Sequence, residues 1–177
     1  MLAEVKLREG DMQGAVEDLQ VQIRKHPENG RYRIFFFQLL AVLGQWERAL
    51  TQLSVLEKLD KDTWPMVHTY RAAIQCEVLR AEIFAGRQTP LIFGEPPDWL
   101  AWLQESLRLT ADARHDQATE LRNQAFDKAV PSSGTIDDQP FEWIADADSR
   151  LGPVLELIIN GRYYWAPFQQ IRLIQIS

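Results

Sequence analysis

An array of paired helices followed by a small, mostly antiparallel β-sheet is the architecture this sequence predicts: mainly α, and α+β overall. Three observations predict it. GDMQGAVEDL (10–19) and GQWERALTQL (44–53) align at a spacing of 34 residues, with Gly10/Gly44, Met12/Trp46, Ala15/Ala49, Val16/Leu50 and Leu19/Leu53 in register. Helical apolar spacing then continues to about residue 130. Beyond Pro131 the pattern changes to period-two alternation between clusters of turn formers. A 34-residue period is that of tetratricopeptide repeats. Packing accounts for the residue types, since a glycine ends the first helix, a large apolar side chain opens the second, and a small alanine lets the two approach closely. Units of this kind stack and present a face, which points to binding rather than catalysis.

Residues 2–9 and 11–25 form the first pair, ended at His26-Pro27 by the restriction a proline places on the residue before it. Residues 31–43 form the third helix, whose FFFQLLAVL centre is apolar on nearly every side, as expected of an element sandwiched between neighbours. Gly44 ends it, and 45–59 form the fourth helix with Trp46, Ala49, Leu53 and Leu56 inward. A fifth helix, capped by Asp62 or Thr63 with Pro65 in its first turn, keeps its spacing to Gly86. The connector RQTPLIFGEPP (87–97) holds three prolines and a glycine, and reads as an ordered link whose Leu91, Ile92 and Phe93 pack on a helix. Asp98 caps a sixth helix to Leu109, and 111–129 form a seventh with His115, Ala118 and Ala125 at repeat-like positions. The domains read as 1–130, with repeats at about 1–28 and 30–62 and a degenerate pair at 98–130, and then 131–177.

In the second domain PSSGTIDDQP (131–140) reads as a loop and 141–145 as a strand. Residues 154–159 pair antiparallel with 162–166 through Asn160-Gly161, the strongest short hairpin signal. Residues 171–176 read as a further strand, and an apolar edge of that kind at the end of the chain points to a longer natural protein. Trp143, Tyr163, Tyr164, Trp165 and Phe168 are more aromatics than so small a sheet can bury on one face. The sheet is therefore expected to dock on the last helix pair, against Trp99, Trp102, Leu121 and Phe126.

A chain of 177 residues buries roughly 70% of its unfolded surface and needs no staple. Its net charge of -6, without a Lys/Arg cluster, disfavours nucleic acid or an anionic membrane as partner. Cys76 is the only cysteine, so no disulfide or thiolate metal cluster forms within the chain, and a reducing compartment fits. The N-terminus has no apolar h-region, and no apolar run approaches a membrane span, so the expectation is a cytoplasmic protein.

No nucleophile elbow, phosphate loop, zinc-protease helix or dinucleotide glycine pattern occurs, and no cofactor or small-molecule substrate is expected. Asp146 and Asp148 resemble the start of a calcium loop, but the following glycine and the closing glutamate are missing. A turn whose carboxylates accept backbone N–H bonds, neutralised by Arg150, is favoured over a metal-dependent hydrolase using that pair. The expected partner-binding face comprises Arg31, Ile34, Gln38 and Val42 on the third helix and His68, Arg71 and Gln75 on the fifth. Basic, amide and aliphatic side chains in one groove suit an amphipathic helix with an acidic margin. A generic tetratricopeptide co-chaperone clamping an extended acidic tail is the alternative. Phe35, Phe36, Leu39 and Leu40 read as core.

With these elements placed, the sequence closely resembles the ImpE/TagJ (SciE) family of type VI secretion accessory proteins. The residues carrying the resemblance are RIFFFQLLAVLGQWERAL (33–50), TYRAAIQCEVLRAEIFAGR (69–87), the LIFGEPPDWL connector and SGTIDDQPFEWIADADSRLGPVLELIINGRYYWAPFQQI (133–171). Within the last, Trp143, Asp146, Asp148, Arg150, Gly152, Pro153, Asn160, Gly161, Tyr163 and Tyr164 stand as a structural signature. The resemblance implies a non-enzymatic cytoplasmic adaptor that binds the sheath subunit TssB through a helix. It also implies an indirect part, through TssB, in recycling of the contracted sheath by the ClpV ATPase.

Overall fold

The structure is a computed structural model and describes residues 2–175. Its helices are α1 (Leu2–Arg8), α2 (Met12–Lys25), α3 (Gly30–Val42), α4 (Trp46–Leu59), α5 (Trp64–Phe84), α6 (Asp98–Ala111) and α7 (His115–Lys128). Five strands are β1 (Leu91–Ile92), β2 (Gly134–Ile136), β3 (Gln139–Phe141), β4 (Val154–Ile159) and β5 (Arg162–Pro167). Short 3₁₀ turns occupy Lys61–Thr63 and Phe168–Gln170.

The repeat is visible in how helices end. Gly10, Gly44 and Gly86 all have φ between +67° and +82°. The residue after each donates its N–H five residues back: Asp11 to Lys6 O, Gln45 to Leu40 O, Arg87 to Glu82 O. That is the bond closing a Schellman motif, which requires a left-handed residue. Space is not what selects glycine at the first two, since a Cβ there would meet nothing within 4 Å. α6 ends the same way, with Arg114 N–H bonded to Leu109 O, but over Ala113 at φ +59°. A non-glycine there costs about 1–2 kcal/mol, the mark of a degenerate repeat. This turn also explains why α7 begins at His115 rather than at 111.

Contacts divide the chain into two compact units, Met1–Gln75 and Cys76–Ser177. The division falls inside α5 instead of at the 130/131 boundary that the change of composition pointed to. In the first unit α1 packs on α2, α2 on α3 and α3 on α4. Ala15 and Ala49 are fully buried beside Leu19, Phe37, Leu40, Leu53 and Leu56. Carboxylate Asp18 accepts the Ala3 N–H at 3.0 Å, tying α1 to α2.

The second unit has one core for helices and sheet together. Leu151, Val154, Tyr163 and Trp165 pack with Ile83, Trp99, Leu100, Leu103, Leu107 and Ala125. The sheet thus docks on α6 and α7 as expected. Strand order is β1-β5-β4, with β4 antiparallel to β5 and β1 parallel to it, Leu91 opposite Tyr164. Among the described residues two of the three strand pairings are antiparallel.

Four expectations are corrected. Residues 87–97 contain β1, whose partner is too distant in sequence for any local signal to reveal. Residues 134–141, read as a loop, form the β2–β3 hairpin, because Asp137 and Asp138 both take the left-handed φ that a two-residue turn demands. The strand expected at 141–145 is absent beyond Phe141, and Trp143 is 68% exposed rather than docked. Residues 171–175 form no strand, because the turn at Phe168–Gln170 intervenes and Gln170 bonds sideways to Glu95 O; Ile176 lies outside the described residues.

Candidate functional site

Helical spacing places Arg31, Phe35, Gln38 and Val42 on one side of α3. Gln38 is exposed, and Val42, 72% exposed, is the most open large apolar side chain described. Ile34 and Phe35 are half-buried against the first unit's core. Beside this ridge lies an open groove of about 610 Å³, lined by Glu4, Leu7 and Arg8 of α1 and by Arg31 and Phe35 of α3. Arg31 is the one member of the expected partner-binding face that lines it.

Two of the three α5 members are engaged with α4. Arg71 donates to Glu57 of α4 at 2.8 Å, and His68 Nε2 lies 3.8 Å from the same carboxylate. The bond from Arg71 holds the Glu57 carboxyl below its ordinary range. Trp64 stacks edge-on against His68 at 5.6 Å, and Gln75 is exposed. A signal for the rest of the groove was present in the sequence: subtracting the 34-residue period from Gln38 and Val42 gives Glu4 and Arg8. Phe35 was missed because an unbroken FFF run hides which aromatic faces outward.

Charge is unevenly distributed. The first unit has ten Lys/Arg against ten Asp/Glu, the second nine against fifteen, so the net -6 belongs to the second. Arg33 bonds Pro27 O and Gln52, Arg48 bonds Gln45, and Arg71 bonds Glu57. Among the described residues the side chains of Arg8 and Arg31 have neither a hydrogen bond nor an ion pair, Arg31 bonding Asn29 only through its backbone N–H.

One signature residue of the second unit, Tyr163, belongs to a polar network against its core, and most of the others stand in the turns around it. Arg80 grips Glu156 with Nε and Nη2 at 2.6 and 2.9 Å. Tyr163 donates its hydroxyl to Glu156, and Trp165 Nε1 donates to Tyr163 at 2.8 Å. Burial first, then the neighbouring Glu156, pushes the Tyr163 hydroxyl well above its usual range. Arg150 lies 4.3 Å from the Phe84 ring centre and Arg80 4.6 Å. Tyr164 meets Phe93 edge-on, and Asn160-Gly161 forms the β4–β5 turn with both residues at positive φ. At Gly152, φ +54°, a Cβ would fall 2.4 Å from the Phe126 ring, so only glycine seats this turn on α7; the adjoining Pro153 O accepts the Phe168 N–H.

Asp146 accepts the Asp148 N–H at 2.7 Å, and Asp148 accepts the Arg150 N–H at 2.9 Å and its guanidinium at 2.6 Å. Arg150 accordingly holds the Asp148 carboxyl below its ordinary range. A guanidinium so close repels a cation, so this loop is chemically a turn lock. No group of three or more His, Cys, Asp or Glu among the described residues is arranged to hold a metal.

Three comparisons place the chain. The ImpE protein family model matches residues 138–177. Across all 177 residues the chain is 52% identical to the type VI secretion system accessory component TagJ of Pseudomonas aeruginosa, of which it spans 63%. The crystal structure of protein VPA1032 from Vibrio parahaemolyticus superposes with a TM-score of 0.87 at 26% identity, over 96% of this chain and 64% of that one. In sequence and in fold the chain is similar to the ImpE family.

Proposed function

We propose that this chain is a non-enzymatic accessory protein of a type VI secretion system. It captures an amphipathic helix of the sheath subunit TssB and through it bears, in the cytoplasm, on ClpV-linked recycling of the contracted sheath. The observation that carries this reading is the 52% identity to TagJ along the whole chain. The first unit supports it, since α3 offers exposed basic, amide and aliphatic side chains at helical spacing beside an open groove. No described helix is long and apolar enough to cross a membrane.

Co-purification of the full chain with TssB, and with TssB lacking its N-terminal helix, tests the reading. Recovery of intact TssB and loss of the shortened form is the expected result, with ClpV retained only when TssB is present. Equal recovery of both forms sinks the helix-capture idea, and recovery of neither sinks the partner.

A further inference from the structure

Two cations left open across a groove with an apolar floor are an unfinished arrangement. Leu7 and Phe35 supply the floor, Arg8 and Arg31 the charges, and Glu4 the one carboxylate among the lining residues. Both arginines are exposed and their guanidinium groups have no partner among the described residues, whereas those of Arg33, Arg48 and Arg71 of the same unit are engaged. Like charges facing one groove repel, and an anion between them relieves that repulsion while forming charge-assisted hydrogen bonds. Planar guanidinium forks suit carboxylates.

We propose that this groove is a carboxylate-reading seat for the captured helix. An Asp or Glu on one flank of that helix lies between Arg8 and Arg31, and an apolar residue a turn away packs on Leu7 and Phe35. This deepens the adaptor reading and rests on it. Charge complementarity chooses the occupant: the second unit carries the net negative charge and the first is neutral, so an acidic margin meets its counter-charge in the first only where cations stand open, at Arg8 and Arg31.

The test uses the full chain and purified TssB, with affinity measured by isothermal titration at several salt concentrations. Arg8→Glu with Arg31→Glu is expected to weaken binding by about tenfold or more and to remove most of its salt dependence, because the lost contacts are screened ones. Thermal melting should stay unchanged, since neither side chain is buried. Changing the Asp and Glu residues of the TssB N-terminal helix to Lys, one at a time, should restore binding to the double variant at one position. If wild type binds TssB and the double variant binds it equally well with the same salt slope, the seat is overturned while the adaptor reading stands. If wild type does not bind TssB, both are overturned.

Discussion

The two units solve the same packing problem by different means. In the first, specificity lies in side-chain size: Ala15 and Ala49 are fully buried where paired helices come closest, and large aliphatic and aromatic side chains fill the rest. In the second, the helix-facing side of the sheet carries a chain of donors and acceptors, from Trp165 through Tyr163 and Glu156 to Arg80. The contrast extends to the arginines. Arg80 and Arg150 hold their own unit together through Glu156 and Asp148, whereas Arg8 and Arg31 hold nothing described. Among its described residues the first unit buries one carboxylate, Asp18, and no arginine, and so can leave cations open to a partner.

Trp165→Ala should break the second unit most severely. The side chain is fully buried and its indole N–H belongs to the network, so a loss of about 3–5 kcal/mol is expected by urea denaturation. A cost below about 1 kcal/mol would mean that the sheet does not depend on that core. Ala49→Leu probes the first unit by overfilling rather than emptying it. About 1–3 kcal/mol should be lost, and by the same amount at pH 7 and pH 4, because no titrating group is involved. A cost that changes with pH would erase the distinction between the units.

Asp148→Asn is the smallest of the three and the sharpest. The folded carboxyl is held below its ordinary value by Arg150, so its stabilisation is complete above the usual carboxylate range and drains as pH falls through the folded value. The substitution should cost about 1 kcal/mol at pH 7, the modest figure reflecting a partly exposed pair, and progressively less toward pH 3. Melting curves of wild type and variant that stay parallel over this range would show that the pair is not what anchors the turn.

What could be read in the sequence follows the same division. Gly10 and Gly44 announce their helix ends because a left-handed residue is a local demand, and Asn160-Gly161 announces its hairpin for the same reason. Leu91 and Ile92 announced nothing, since a strand in parallel pairing owes its conformation to β5. Asp137-Asp138 makes a hairpin turn with residues that more often mark loops. At the candidate site Arg31 was legible from helical spacing alone. Arg8 needed the repeat period applied backward, and Arg80, Glu156 and Tyr163 form a site of cohesion that only the tertiary structure brings together.

The parallel pairing of β1 with β5 also sets an order in time. Tyr164 and Trp165 follow Leu91 and Ile92 by 73 residues each, while each helix pair of the first unit closes over a turn of a few residues. Local contacts form fast and distant ones slowly. During synthesis at about 5–20 residues per second, β1 is complete for roughly 4–15 s before the first residue that pairs with it is made. Over that interval LIF is an apolar segment with no strand to join, and the nascent chain is most open there to a chaperone.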